Sequence, residues 1–334
     1  MSASSPRTVL LTGGTSALGW ATALRLARAG DEVLLAVRKP ARRGLRERVA
    51  ELRATDPETA GSLRLIDCDL AQEDVLDPAA RERVVQDCAG IVHVAADRRS
   101  DGVRRAVFDV NVRATRALLR LAQELDGRFV HVSDLDISGD ARGVWMEDQL
   151  LDGQELGGDP VRESRMLAER HVRKAMGEQS AVVVRCALPV GPRDGVQDPV
   201  WTLLGRLRDL SRWPLPGPLR RLPFVPGGGR RLHALPVDDL AAVVAAAWAD
   251  DGPGTVHAAD PFAPTLAEWV AAASAALGLA PPGRSAPGRF AIFGDDLPVR
   301  CVAYDTTHAD ALLRRNGLRR PSWREGIALL IGSM

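Results

Sequence analysis

The chain has 334 residues, a formal net charge of +1, 26% charged and 46% hydrophobic residues, enough to build one large or two modest domains around an apolar core. The near-balanced charge argues against nucleic acid or an anionic membrane as the main partner, because both recruit surfaces of one sign. The longest apolar run, residues 240–249, is half a bilayer's span, and the N-terminal residues lack the basic and apolar regions of a signal peptide, so a cytoplasmic protein without a membrane segment is expected.

Residues 8–11 form a short β-branched, apolar run, followed by the turn Thr12-Gly13-Gly14-Thr15-Ser16-Ala17-Leu18-Gly19 and an amphipathic stretch to Ala29. Strand, glycine turn and helix in this order predict the start of a βαβ unit, with Gly30-Asp31 closing the helix and a second strand over 32–37. Hydrophobic periodicity predicts further helices over 42–54, 79–88, 109–125 and 160–176, alternating with strands over 63–66, 90–94, 128–132 and 181–185. That alternation implies an α/β fold, a Rossmann-like doubly wound parallel sheet. The dinucleotide-binding domain is expected over 1–188, with 233–250 returning to it. Residues 204–231 are dense in Pro and Gly, carry Trp213 and Phe224, and are basic at Arg220, Arg221, Arg230 and Arg231. They are too apolar for a disordered linker, and a loop packed as a lid over a cleft is expected, with plain surface packing as the alternative. Together with helices over 266–277 and 323–331, residues 189–232 and 251–334 form a smaller C-terminal substrate-binding region and lid.

A glycine turn between strand and helix lets backbone N–H groups and the helix N-terminus face a pyrophosphate. Gly13 makes the tight turn, and Gly19 lets helix and sheet approach closely. Ribose selection falls about 20 residues further on, where a carboxylate favours a free 2′-hydroxyl and an Arg accommodates a 2′-phosphate. Arg38 and Lys39 stand there, with Arg42 and Arg43 nearby, so NADP(H) is expected over NAD(H); a solvated basic loop is the alternative. Cys68, Cys88, Cys186 and Cys301 show no C-x-x-C spacing, so neither a metal site nor a disulfide framework is expected.

Several segments resemble the extended short-chain dehydrogenase/reductases. Thr12 to Gly19 is similar to their T-G-x-x-G-x-x-G turn, Asp69-Leu70 to the pair that contacts adenine, and Val92-His93-Val94-Ala95-Ala96 to the strand end beside the nicotinamide ribose. Asn111-Val112-Arg113-Ala114-Thr115 resembles their N-V-x-G-T helix, Phe129 to Ser133 their F-V-H-V-S strand, Val190-Gly191-Pro192 their Y-G-P turn and Val237 to Ala241 their V-D-D-V-A segment. The resemblance spans nearly the whole chain. It implies cofactor contacts from Gly13, Thr15, Ser16, Ala17, Leu18, Gly19, Arg38, Lys39, Asp69, Leu70, Ala95, Ala96, Arg165 and Leu188. One departure is Ser16, which stands at the middle glycine of the turn and whose hydroxyl could itself donate to a phosphate.

Members of this family protonate a carbonyl with a tyrosine, lower its pKa with a lysine and orient the substrate with a Ser or Thr. Aligned through Gly139, and through Pro160, Ser164 and Ala168-Glu169-Arg170, those positions hold Val161, Arg165 and Asp134. The chain's one tyrosine, Tyr304, lies far away in sequence. Arg165 can still bond a ribose but stays charged and relays no proton. Asp134 can act as an acid only if desolvation raises its pKa, which Arg165 opposes; an ionised partner of an Arg, an acceptor for a substrate hydroxyl and a capped turn residue are the other readings. His93 and His131 are expected as core or supporting histidines. Asp97, Ser133 and Asp134, with Trp213 and Phe224 in the lid, are the candidate substrate contacts. Arg98 and Arg99 could also meet substrate or belong to a solvated loop. The degenerate triad beside an intact dinucleotide turn resembles the atypical ketoreductases that act on angucyclinones. That resemblance implies NADPH-dependent reduction of a small-molecule polycyclic aromatic ketone whose neighbouring hydroxyl assists protonation. Two alternatives are a catalytically inactive NADP(H)-binding regulator or sensor, and an epimerase or dehydratase using Asp134. The sequence sets no oligomeric state.

Overall fold

The computed structural model describes residues 6–99, 103–150, 153–191, 199–212, 230–252, 254–279 and 299–332. Its first part runs β1 (Thr8–Thr12), α1 (Ala17–Arg28), β2 (Glu32–Val37), α2 (Lys39–Thr55), the short α3 (Pro57–Gly61), β3 (Leu63–Asp67), α4 (Pro78–Asp87) and β4 (Cys88–His93). Next come α5 (Arg104–Phe108), a π-helical turn over Asp109–Arg113, α6 (Ala114–Glu124), β5 (Arg128–Asp134), β6 (Gly143–Trp145), α7 (Pro160–Ala175) and β7 (Ala181–Cys186). The remainder comprises β8 (Leu188–Val190), α8 (Pro199–Arg212), β9 (Arg231–Leu232), β10 (Ala234–Pro236), α9 (Val237–Ala249), β11 (Thr255–Ala258), α10 (Leu266–Ala276), β12 (Val299–Arg300), β13 (Val302–Tyr304), α11 (Thr307–Arg315) and α12 (Trp323–Gly332).

Seven strands form one parallel sheet in the order β3-β2-β1-β4-β5-β7-β11. The strands are nearly continuous apolar runs because both faces are covered. On one face Val9, Leu11, Val33, Val92, Val130 and Val182 pack with Leu18, Ala23 and Leu26 of α1 and Leu240 and Val244 of α9. On the other, Leu10, Leu34, Ile91, Phe129 and Val183 meet Val84 of α4, Leu118 and Ala122 of α6 and Val172 of α7. The strand order reverses between β1 and β4, and such a switch point opens a crevice beyond the carboxyl ends of the strands. No helix among the described residues is long and apolar enough to cross a membrane.

The C-terminal half departs from its sequence expectation in three places. Residues 204–212, expected as part of a lid loop, continue helix α8, whose Leu203, Leu204 and Leu207 are buried in the main core. Trp213 and Phe224 lie outside the described residues. Residues 255–258, expected in the substrate-binding region, form β11 and extend the main sheet beside β7. The return of 233–250 is divided: α9 packs on α1 over the sheet, whereas β10 pairs with β8 in a separate two-stranded sheet.

A dinucleotide cleft without a tyrosine

The turn after β1 is built around two close approaches. Gly13 has φ +81°, and a Cβ there would lie 2.7 Å from the Ala95 nitrogen at the end of β4. A Cβ on Gly19 would lie 2.1 Å from the Gly13 oxygen, so only glycine lets α1 sit this near the turn. Ser16 caps α1: its Oγ accepts from Gly19 N–H at 3.0 Å and donates to the Gly13 carbonyl at 2.9 Å. Its backbone, at φ −81°, needs no glycine. The serine at the family's middle-glycine position thus closes the turn with its own hydroxyl. In this turn its proton goes to the Gly13 carbonyl, and the residue itself lines the cleft. No acidic residue occupies the first turn of α1, which leaves its N-terminus suited to an anion.

A cavity of about 630 Å³ follows the crevice from this turn across the sheet edge, within the size range of cofactor clefts. Gly13, Thr15, Ser16, Ala17, Leu18, Arg38, Asp69, Leu70, Ala95, Ala96 and Arg165 line it, as do Asp97 and Ser133. Gly19 lies behind the turn; Lys39 begins α2 away from the lining; Leu188 gives way to its neighbour Pro189. These three expected cofactor residues therefore stand outside the lining, and so does the candidate substrate contact Asp134. Of the four basic residues after β2, Arg42 pairs with Asp67 and Arg43 with Glu47, leaving Arg38 as the one that lines the cleft. The Asp69 carboxylate accepts from Ala71 N–H at 3.0 Å and so holds its own loop.

At the end of β4, Asn111 in the π-helical turn ties three elements together. Its Oδ1 accepts from Asp97 N–H at 2.6 Å, while its Nδ2 donates to the Asp97 carbonyl at 3.0 Å and to Ser164 Oγ of α7 at 2.9 Å. Single π turns recur at functional sites. Asn111 was legible within the N-V-x-G-T likeness, but its pairing with Ser164 joins residues distant in sequence. His93 is fully buried between Thr12 Oγ1, 2.7 Å from Nδ1, and Thr115 Oγ1, 2.9 Å from Nε2. Because Thr115 already donates to the Asn111 carbonyl, His93 Nε2 donates to Thr115 and Nδ1 accepts from Thr12. Burial, with His131 and Arg165 nearby, holds its pKa far below the ordinary value, so His93 is a neutral strut.

The substrate end is charged. Asp134, at the end of β5, accepts from Arg98 Nη2 at 2.8 Å and lies 3.3 Å from Arg165 Nη1. Burial works to raise its pKa, but Arg165, Arg98 and the Asp136 N–H outweigh burial and hold Asp134 below the ordinary carboxylate value. It is ionised and has no proton to give at neutral pH. Arg165 has its pKa brought down to about 10 by burial and by Arg98, and remains a cation. Val161, in the tyrosine position, is half-buried and does not line the cavity. Asp97 is held as an anion by Arg99, whose Nη2 lies 2.6 Å away. Cys186 lines the cleft, but burial pushes its thiol up to about 12, too high for a nucleophile. Tyr304 is buried elsewhere, donating to the Leu135 carbonyl at 2.9 Å and lying 2.7 Å from Ser138 Oγ, edge-on to the His233 and His257 rings. It does not line the cleft.

A family model described as male sterility protein, an NAD-binding family, matches residues 11–202. This chain belongs to that family. The matched span of the male sterility protein family runs from β1 into α8 and so contains the whole cleft wall. No curated protein sequence gives a significant match. Among solved structures, the chain is similar to the terminal R domain of the myxalamid PKS-NRPS biosynthetic pathway, with 21% identity, 98% of this chain and 90% of that one covered and a TM-score of 0.72. It is also similar to a thiolation-reductase di-domain from an archaeal non-ribosomal peptide synthetase, with 15% identity, 98% and 75% covered and a TM-score of 0.70. A third is the dTDP-glucose 4,6-dehydratase of Bacillus anthracis in complex with NAD, with 15% identity, 98% and 96% covered and a TM-score of 0.69. These likenesses show a shared fold.

The cleft fits a nicotinamide dinucleotide on its own geometry. The Gly13 turn admits backbone close to a pyrophosphate. Arg38 and Arg165 line the same cavity at residues where a dinucleotide's phosphate and ribose would need cations and donors.

Proposed function

We propose that this protein is an NADPH-dependent ketoreductase of a polycyclic aromatic polyketide such as an angucyclinone, and that the substrate's own hydroxyl assists protonation. The carrying observation is the character of the substrate end. Asp134 is ionised between two guanidiniums, Val161 replaces the tyrosine, and the chain's one tyrosine is bonded outside the cleft. With no neutral acid among the described residues of the lining, substrate-borne proton assistance is the reading this end supports. A ketone beside an aromatic hydroxyl carries an internal hydrogen bond that stabilises the developing alkoxide, so the protein need only hold and orient the reactants.

Arg38, with no carboxylate at the end of β2, supports a 2′-phosphate and hence NADPH. Thr15 to Leu18 and the α1 N-terminus would hold the pyrophosphate, Asp69 and Leu70 would border the adenine, and Arg165 would bond the ribose. When bound, the reduced nicotinamide supplies a hydride. The similarity to a thiolation-reductase di-domain accords with reductive chemistry. The similarity to a dehydratase keeps the epimerase or dehydratase alternative in view, although an ionised Asp134 would there serve as a base without an acid beside it. A regulator that binds NADP(H) without turnover would share the same cleft. NADPH consumption separates the readings: a peri-hydroxy aromatic ketone should oxidise NADPH, with peri-hydroxy-α-tetralone as the smallest probe. No oxidation with any such ketone, beside intact NADPH binding, would replace the ketoreductase by the regulator.

A further inference from the structure

We propose, on the ketoreductase reading, that Arg98 is the receptor for the substrate's phenolate: it holds the oxygen left negative when the hydroxyl beside the ketone gives up its proton, and so selects ketones that carry such a hydroxyl.

Arg98 follows the end of β4 and lines the cleft. Its Nη2 donates to Asp134 Oδ2 at 2.8 Å, and Arg165 Nη1 lies 3.3 Å from that same oxygen. Two guanidiniums on one oxygen atom stand side by side, with Asp134 behind them, outside the lining. They differ in access. Arg165 is buried, whereas the Arg98 side chain is 50% exposed. A guanidinium carries five N–H donors, so the bond to Asp134 leaves Arg98 with donors to offer a ligand.

The charge at this end favours an anion. One carboxylate, Asp134, faces both cations, while Asp97 is matched by Arg99 and Asp136 by Arg300 at 2.6 Å and Arg162 at 3.7 Å. Arg165 registers the excess: after burial, Arg98 is what lowers its pKa most. An anionic oxygen docked against Arg98 relieves that repulsion, and a bond between guanidinium and oxyanion is among the strong ones.

The proposed reaction creates such an oxygen. The carbonyl carbon receives a hydride from the reduced nicotinamide, and the carbon–oxygen π pair moves onto the carbonyl oxygen. That oxygen takes the proton of the neighbouring hydroxyl, whose O–H bonding pair stays behind on the phenolate. Arg98 donates to the phenolate and keeps its own protons; water reprotonates the phenol as product leaves. Because the negative charge grows only as the reaction proceeds, the Arg98 bond strengthens toward the transition state and so raises the rate.

The test has two arms, each run on wild type, Arg98→Gln and Arg98→Lys. In the first, 1,8-dihydroxyanthraquinone, a flat peri-hydroxy ketone with a coloured phenolate, is titrated with base on the NADP⁺-loaded protein, which needs no turnover. On wild type its hydroxyl should ionise about one to two pH units lower than in buffer; Arg98→Gln should abolish the shift and Arg98→Lys should keep part of it. No shift on wild type, or the same shift on Arg98→Gln, overturns the proposal. The second arm reads kcat and KM with peri-hydroxy-α-tetralone and its methyl ether, and NADPH affinity by fluorescence titration. Arg98→Gln should lose about 10- to 100-fold in kcat on the hydroxy ketone, change the slow turnover of the methyl ether little, and bind NADPH as wild type does. An equal loss on both ketones would mark Arg98 as structural, and a fall in NADPH affinity would assign it to the cofactor; either overturns the proposal. A phenolate shift that depends on Arg98, in a protein that reduces no ketone, removes the ketoreductase reading alone and supports Arg98 as a phenolate site.

Discussion

Asp134 stands where the short-chain reductases carry a hydroxyl, and two guanidiniums determine what it does there. A carboxylate between Arg98 and Arg165 is an anion that orients cations. Asp134→Asn should therefore slow turnover by less than the roughly 10²–10⁴-fold of a lost general acid, while lowering stability by up to about 3 kcal/mol because Arg165 stays buried without its countercharge. Kinetics and denaturant unfolding on one preparation check both halves. Val161→Tyr should restore little activity, since Arg165 at neutral pH cannot take the relaying lysine's part. At the other end of the cleft, Arg38→Ala should weaken NADPH about 10- to 100-fold and leave NADH nearly unchanged; calorimetry with both dinucleotides decides it. These positions were legible because motif spacing reveals which residue replaces which. The Asn111–Ser164 bond was not legible, because it depends on where α7 and the π turn meet in space.

The β1–α1 turn has no slack. Gly19→Ala would drive a Cβ to 2.1 Å from the Gly13 carbonyl, forcing the helix off the sheet at a cost of about 1–3 kcal/mol and moving the N–H groups that face the pyrophosphate. Loss of dinucleotide binding with a lowered unfolding midpoint is expected. The control is Gly44→Ala in the exposed middle of α2, where a Cβ meets nothing within 4 Å; it should stabilise by about 0.5–1 kcal/mol and leave binding intact. At this scale the first half of the fold was readable, because its strands are apolar runs separated by helices with clear periodicity. The second half was less so. β11 is a four-residue strand of mixed composition, Thr-Val-His-Ala, whose partner β7 lies across α9 in sequence. Helix α8 ends where a Pro- and Gly-rich stretch begins, and that composition masked the buried leucines before it.

The whole molecule buries four histidines in their neutral form. His93, His131, His233 and His257 each have a pKa depressed mainly by burial, His131 to about 3 and His233 to about 4. His257 Nε2 accepts from Arg185 at 2.9 Å, a bond its protonated form cannot keep. In the unfolded chain these rings titrate near 6.5, so below that value the unfolded state binds more protons. Their contribution is complete above pH 6.5 and is lost as pH falls through the folded values. Glu147 acts oppositely: burial raises it to about 7 from 4.5, so its contribution is complete below 4.5 and is lost as pH rises toward 7. Asp136 and Asp239 are raised as well, so four rings act against three carboxyls. Unfolding free energy should fall between about pH 6.5 and pH 4, and His233→Gln should flatten that fall; an acid limb unchanged by the variant would remove the histidines as its cause. Fold class and cofactor turn thus follow from local sequence, whereas the charged substrate end is a property of the assembled sheet. The most direct measurement of the central claim is NADPH oxidation, followed by absorbance, with a peri-hydroxy angucyclinone ketone and its methyl ether. The account predicts that the hydroxy ketone is reduced and that methylation costs about 10²–10⁴-fold in rate; equal rates for the two, or no oxidation of NADPH by either, would contradict it.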